Sequence, residues 1–181
     1  RTSVLDIAAG AGVTRGAFYH HFKDKQVLFE ALVARSRVLA EEEGLDTLGE
    51  DGDALDGLRA FCLGVFEFFA ADRSQQRMFG IVMQGREALG DLEAIARQRR
   101  DEICRTSLAY ERALERARQA GRLSESWTPR IAATTLYSAM VGLANQWLRD
   151  PERFDIRPIG IDCINQLLDA FESNGPRPTG K

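Results

Sequence analysis

The side chains best suited to chemistry lie within residues 14–25, TRGAFYHHFKDK. Arg15, Tyr19 and His20 fall on one side of a helix at this spacing, because residues four and five positions apart are near neighbours there. Their guanidinium, phenol and imidazole groups are hydrogen-bond donors that suit phosphate oxygens and guanine edges. Gly16 lies on the same side, and its missing Cβ lets another molecule approach the backbone. The pattern favours nucleic-acid contact over catalysis.

Two short helices joined by a glycine-containing turn must position these donors. We expect Thr2 or Ser3 to cap the first helix, Gly10 and Gly12 to end it, and Thr14 to cap the second. The residues expected on the apolar side of the pair are Leu5, Ile7, Ala8, Val13, Ala17, Phe18 and Phe22. This arrangement is typical of a helix-turn-helix DNA reader.

The run IAAGAGVTRGAFYHHFKDKQVLFEAL resembles the TetR family of bacterial one-component regulators over its whole length. A glycine-valine turn, a small residue before an aromatic pair, a His-Phe step and a Lys-x-x-Leu segment occur in the family's order. The resemblance implies that Tyr19 and His20 hydrogen-bond phosphates and that Lys25 reaches the DNA backbone. Family members carry one more helix before this point, so we expect that helix to be missing from the sequence.

The remaining DNA contacts follow from residue chemistry. Arg15 can donate two hydrogen bonds to guanine O6 and N7. Thr14, at a helix N-terminus, suits a phosphate, and Thr2 could contact one from the first helix. We expect His21 to pack, hydrogen-bonded, beside Phe22. A dimer of such readers would recognise a near-palindromic operator in double-stranded DNA.

The charge distribution accommodates DNA despite a net charge of −3. Residues 1–25 hold four cationic and two acidic side chains, a net +2, so the other 156 residues sum to −5. Local cations near phosphates decide DNA affinity. No apolar run approaches the roughly 20 residues of a membrane span, and no signal peptide is visible, which predicts a cytoplasmic protein without membrane contact. Three separated cysteines, Cys62, Cys104 and Cys163, are predicted to be reduced core residues.

The chain after residue 24 is predicted to be all-α, because it shows helical spacing and no useful alternation. We divide it into a DNA-binding domain with a connecting helix, 1–43, and an effector-binding and dimerisation domain, 44–181. The connecting helix is expected to bury Leu28, Ala31, Leu32 and Leu39. An acidic, glycine-rich surface loop is predicted over 44–53. Further helices are predicted over 54–71, 75–88, 91–120, 129–150 after a Thr128 cap, and 158–173.

The helix over 129–150 is apolar on two sides, which predicts a core on one side and a partner subunit on the other. Its second apolar side holds Ile131, Thr134, Val141, Ala144 and Leu148. With the last helix it would form a four-helix bundle in a homodimer. The candidate interface residues are Leu136, Leu143, Trp147, Ile164, Leu167, Leu168 and Phe171.

Large side chains in the middle helices predict a pocket for a small apolar or cationic effector. The stretch GLANQWLRDPERFDI also resembles the AcrR-like drug-efflux repressors, which supports an effector that releases the protein from DNA. The candidate lining residues are Phe61, Phe66, Phe69, Met78, Phe79, Met83, Tyr110, Tyr137 and Met140. Polar side chains that could orient the ligand are Gln84, Arg86, Glu87, Asn145 and Gln146. A filled core is the alternative for each lining residue.

Other motif interpretations have less support. Gly10, Gly12 and Gly16 approximate a dinucleotide-binding loop, but a strand is not predicted before them. The acidic segment near Asp51 lacks the later ligands of a calcium loop. Both histidines lie in the DNA reader, so we expect no catalytic residues, metal or cofactor. A helical small-molecule-binding or adaptor protein without operator binding is the alternative function.

Overall fold

The computed structural model describes residues 3–32, 48, 52–77, 79–80 and 93–172, with side chains from residue 104 onward in the last range. Within these ranges the chain is α-helical, and the one element of strand character is an isolated bridge between Leu123 and Glu172. The predicted all-α class is confirmed.

Helix α1, Val4–Gly10, begins with a capping box. The Ser3 hydroxyl accepts from the Asp6 amide at 3.2 Å, and the Ser3 amide donates to the Asp6 carboxylate at 2.7 Å. The Ser3 hydroxyl also donates to the Asp6 carboxylate at 2.7 Å, and this bond, followed by the one from the Ser3 amide, favours the charged form and lowers the pKa of Asp6. Ser3 is therefore the cap, while Thr2 lies outside the described residues.

A Schellman turn ends α1. The Gly12 amide donates to the Ala9 carbonyl at 3.1 Å, and the Val13 amide donates to the Ala8 carbonyl at 3.0 Å. Gly12 adopts a φ of 68°, in the left-handed region that favours glycine. Helix α2, Arg15–His21, then starts from the predicted cap, Thr14.

Replacing Gly12 with alanine should lower the free energy of unfolding by about 1 kcal/mol, because a Cβ disfavours the left-handed conformation. Gly10→Ala is the matched control, since Gly10 ends a helix at negative φ and a Cβ there meets open space. Denaturant unfolding would measure both. Equal stabilities of the two variants would contradict the assigned turn.

Helices α1 and α2 bury fewer side chains than the sequence predicts. Each seven-residue helix buries one side chain, Ala8 in α1 and Phe18 in α2. The expected burial of Leu5, Val13 and Ala17 is wrong: Leu5 is 58% exposed, Val13 is 46% exposed and Ala17 is exposed. Helices of two turns present only a thin stripe to their neighbours, which accounts for the difference.

The third helix, α3, is described over residues 25–32. Its buried residue is Phe29, whereas Ala31 is exposed and Leu28 and Leu32 are half-buried. The prediction was therefore wrong for Ala31. Leu39 and most of the predicted loop lie outside the described residues.

In the described ranges the helical body includes five helices: α4, Ala54–Ala71, α5, described over residues 73–77, α6, Glu93–Gln119, α7, Pro129–Arg149, and α8, Ile161–Phe171. Sequence signals located most of their ends. Thr128 caps α7 before Pro129, and Gly121, with a φ of 70°, follows α6.

The start of the last helix differs from the prediction. A π-helical turn, Ile156–Gly160, precedes α8, so the element begins before Pro158. Gly160 lies against α4: a Cβ there would be 3.1 Å from Ile156 and 3.5 Å from the Phe66 ring. This tight contact, which sequence spacing does not reveal, favours a small residue at the junction, because a Cβ there would push on the Ile156 side chain and contact the Phe66 ring of α4.

The core lies where α4, α6, α7 and α8 meet. Cys62 is buried in it, and burial raises the pKa of the Cys62 thiol to about 12, so it remains a protonated, unreactive thiol. Cys104 and Cys163 are exposed, so the prediction of core cysteines was wrong for these two. No helix in the described ranges is long and apolar enough to cross a membrane.

Two arginines tie the helix ends together. Arg59 of α4 donates to the Asp169 carboxylate at 2.7 Å and lies 3.3 Å from Glu172. Arg122, after α6, pairs with the Asp53 carboxylate that caps α4 and lies 3.6 Å from Glu172. We call these five residues the arginine–carboxylate cluster. It joins the beginning of α4 to the end of α8.

Candidate DNA-binding surface and effector region

Helix α2 presents the predicted donors on its exposed side. The Arg15 guanidinium carbon lies 5.4 Å from the centre of the Tyr19 ring, within the range of a cation–π contact. Tyr19 is 45% exposed, and its ring meets the buried Phe18 ring edge-on at 5.4 Å. Arg15 is exposed as well. The two side chains therefore form one outward-facing unit.

The start of α2 is shaped for close approach. The Thr14 hydroxyl oxygen accepts from the Ala17 amide at 3.1 Å, which leaves its hydrogen free to donate outward. A Cβ on Gly16 would meet the Thr14 hydroxyl oxygen at 3.8 Å, an ordinary contact. Packing within the chain thus does not require glycine at this position, whereas approach of a ligand from outside would use it.

The end of α2 carries two exposed histidines, His20 and His21, with ring centres 5.1 Å apart. The predicted burial of His21 is wrong, because the half-buried Phe22 takes the inward position beside Phe18. His21 therefore extends the donor surface. Its place directly before Phe22, as the histidine of the His-Phe step, was the available signal.

Lys25 begins α3, whose first turn is capped by the Asp24 carboxylate accepting from the Val27 amide at 3.0 Å. Lys25 is half-buried at the start of a helix that follows α2 after three residues. The cation therefore lies close in sequence to the donors of α2.

The candidate dimer residues lie on the inner faces of their helices. Leu136, Ile164, Leu168 and Phe171 are each fully buried inside one chain. The other three candidates, Leu143, Trp147 and Leu167, are half-buried and pack against the same core. A fully buried side chain cannot also contact a partner, so the assignment is wrong for the first four residues.

The outer face of α7 consists of Ile131, Thr134, Ser138 and Gly142, which recur at helical spacing. Ile131 is 55% exposed, and Thr134 and Ser138 are exposed. Ala144, which was predicted on this second side, is buried. On α8 the exposed face includes Cys163 and Gln166.

The candidate effector residues lie in or against the core. Phe66, Phe69, Tyr110 and Met140 are buried, while Phe61, Phe79 and Tyr137 are half-buried. Met78 and Met83 lie outside the described residues, as do Gln84, Arg86 and Glu87; Asn145 is half-buried and Gln146 is exposed.

These candidates pack closely where the structure describes them. The Tyr110 hydroxyl lies 3.5 Å from the Met140 sulfur and 3.9 Å from the Cys62 sulfur. Phe69 meets the rings of Phe79 at 5.4 Å and Trp147 at 5.8 Å. A cleft of about 700 Å³ lies elsewhere, between α6 and the start of α7. Its lining residues are Leu108, Glu111, Arg112, Glu115, Arg116, Thr128, Pro129 and Arg130.

Comparison with known proteins identifies both parts of the chain. Residues 1–32 match the family described as "Bacterial regulatory proteins, tetR family". Residues 53–173 match "MAATS-type transcriptional repressor, C-terminal region". The second match alone spans more than half of the chain.

Relatives and solved structures agree with these matches. The repressor BepR of Brucella suis biovar 1 (strain 1330) is 29% identical over 174 residues, 96% of this chain and 83% of BepR. The regulator AcrR of Shigella flexneri is 31% identical over 172 residues, 94% of this chain and 80% of AcrR. A SmeT–triclosan structure gives a TM-score of 0.81 at 28% identity, covering 100% of this chain and 90% of SmeT. SmeT is the repressor of the Stenotrophomonas maltophilia multidrug efflux pump SmeDEF. The chain therefore belongs to the TetR family and is a DNA-binding transcriptional regulator.

Proposed function

We propose that the protein is a repressor that binds a near-palindromic operator as a homodimer and is released by a small effector. The observation that carries the proposal is the exposed donor surface of α2, with Arg15, Gly16, Tyr19 and His20 on one short helix. We assign DNA binding to residues 1–43 and effector binding and dimerisation to 44–181. As a DNA regulator it acts in the cytoplasm, and no catalytic role is proposed.

The DNA contacts divide into two kinds. Arg15 reads guanine, because its N–H groups can bond O6 and N7 together. Gly16 allows the α2 backbone to approach the groove. The phosphate contacts, which position the helix without reading sequence, are assigned to Thr2, Thr14, Tyr19, His20 and Lys25. His21 joins them because it is exposed beside His20.

The effector is proposed to be a small apolar or cationic compound that enters the body among α4, α6 and α7. BepR, AcrR and SmeT are regulators, and SmeT was solved with triclosan, which supports this class. The aromatic and methionine side chains there can rearrange around a guest. The regulated gene would encode a transporter, by analogy with the pump that SmeT represses.

Release follows from linkage between two sites. We propose that the effector binds better to a form in which the two α2 helices of the dimer are wrongly spaced for the operator. Linkage then requires that the effector lower operator affinity by the same factor by which the operator lowers effector affinity. Residues 25–43 join the reader to the body in chain order, so we assign this segment to transmit the change between the two sites.

The dimer is proposed to use the outer faces of α7 and α8 instead of the buried residues first predicted. Thr134 donates its hydroxyl to the Arg130 carbonyl and Thr135 donates to the Ile131 carbonyl, both at 2.8 Å. Both hydroxyls are thus satisfied within the helix, which makes this face less polar than its residue types suggest. With Ser138 and Gly142 it would allow two α7 helices to approach closely.

A fluorescence-anisotropy titration against DNA upstream of the gene, at two salt concentrations, tests the proposal. We expect binding that weakens steeply with salt and exceeds binding to random DNA by about a thousandfold or more. Triclosan, added to the preformed complex, should lower the anisotropy. Upstream binding no tighter than random binding, together with failure to enrich any duplex from a randomised library, would refute operator recognition.

Two substitutions should separate base from phosphate contacts. Arg15→Ala should weaken binding to the preferred duplex by about 1–3 kcal/mol while changing random-DNA binding much less. Lys25→Ala should weaken both about equally and reduce the slope of affinity against salt by about one. Anisotropy with the two duplexes measures both effects. Identical behaviour of the two variants would contradict the assigned roles.

A further inference from the structure

The contact between Arg15 and Tyr19 has a function of its own. Building on the proposed operator binding, we propose that the Tyr19 ring is a positioning residue for sequence specificity, because it holds the Arg15 guanidinium outward before DNA is met. Tyr19 then does two separable things. Its hydroxyl bonds a phosphate, whereas its ring orients the residue that reads the base.

The geometry supports a cation–π contact of this kind. The residues are four apart on α2, and the guanidinium carbon lies 5.4 Å over the centre of the ring. A guanidinium held against a ring still has N–H groups available for guanine. Among the described residues no carboxylate pairs with Arg15, so the contact faces no competing ion pair there.

The Tyr19 ring is held by a contact with a buried side chain. Phe18, only 5% exposed, packs edge-on against Tyr19 at 5.4 Å and anchors it to the interior of the head. Phe18 also lies 5.8 Å from the Phe22 ring. The buried Phe18 therefore restricts the Tyr19 ring, and the ring restricts Arg15.

Positioning matters because a free arginine side chain samples many rotamers. Ordering such a side chain at an interface costs affinity, and an arginine already held near its bound orientation avoids part of that cost. The reduced ordering cost benefits binding where Arg15 bonds a guanine, and it gives no benefit where the base is wrong. The ring consequently raises the ratio of specific to random binding rather than binding in general.

The test uses the whole chain and two duplexes, one enriched from a randomised library by the wild type and one scrambled version of it. Tyr19→Phe keeps the ring and removes the hydroxyl, so it should weaken both duplexes equally and preserve the affinity ratio. Tyr19→Leu removes the ring too, and the ratio should fall by about two- to fivefold, the size of an exposed cation–π contact. In an Arg15→Ala background, Tyr19→Leu should leave the ratio unchanged.

The outcomes are distinct. An equal ratio for the phenylalanine and leucine variants overturns the inference, as does a leucine effect that persists without Arg15. Tyr19→Gln repeats the measurement if the leucine variant is shown by circular dichroism to be unfolded. If the wild type enriches no duplex at all, the proposed operator binding itself fails and the inference falls with it.

Discussion

Replacing Arg122 with methionine is expected to lower the free energy of unfolding by about 3 kcal/mol, because removing one partner of a largely buried ion pair leaves the other charges uncompensated. The Arg122 side chain is 10% exposed, while those of Asp53 and Glu172 are 24% and 21% exposed. Without the guanidinium, the Asp53 carboxylate that caps α4 and the Glu172 carboxylate after α8 would face each other unneutralised, apart from Arg59.

Arg118→Met is the control for this prediction. Arg118 also pairs with a carboxylate, Glu115 at 2.5 Å, but its side chain is 55% exposed and water screens the pair. Its removal should therefore cost much less stability than the removal of Arg122. Thermal and denaturant unfolding of both variants would measure the difference. Equal losses would mean that the arginine–carboxylate cluster does not fasten the ends of α4 and α8.

The ends of most helices follow from single residues in the sequence. A threonine before a proline starts α7, and a glycine after a long periodic run ends α6. Such signals are local: a side-chain oxygen either reaches the free amide of the first turn or does not. The same holds for Thr14 at α2, which positions the DNA-facing side chains.

The orientation of the helices could not be obtained in this way. The helix α7 is apolar on two sides, and its sequence alone does not say which side faces the core. Leu136 lies inside and Ile131 outside because α6, α8 and the π-helical turn cover one side of the helix. That choice depends on contacts far apart in sequence, as does the close approach of Gly160 to the Phe66 ring.

The candidate DNA surface was predictable in its main residues and incomplete at its end. Arg15 and Tyr19 are exposed at helical spacing, as expected. His21 was misplaced because α2 ends right after it, and the helical wheel cannot be continued to Phe22, which is extended with a φ of −134°. Periodicity assigns faces only where the helix continues.

Placing a glutamate at Ser138 is expected to separate the proposed dimer and to weaken operator binding by about a hundredfold or more, since each monomer would then hold only half of a specific site. Ser138 lies mid-way along the outer face of α7, flanked by Thr134 and Gly142. Across a two-fold axis the substitution places the two glutamates of the dimer close together in an interface that excludes water. Their carboxylates repel each other and lose hydration.

Sedimentation velocity gives the oligomeric state and anisotropy gives the operator affinity. Ser138→Ala should remain dimeric, because it removes a hydroxyl without adding charge or bulk. Ala60→Glu, on an exposed position of α4, introduces the same charge away from the proposed interface and should also remain dimeric. Ser138 is exposed, so the glutamate should not disturb the core of the monomer. If Ser138→Glu nevertheless sediments as a dimer, the outer face of α7 is not the dimer interface.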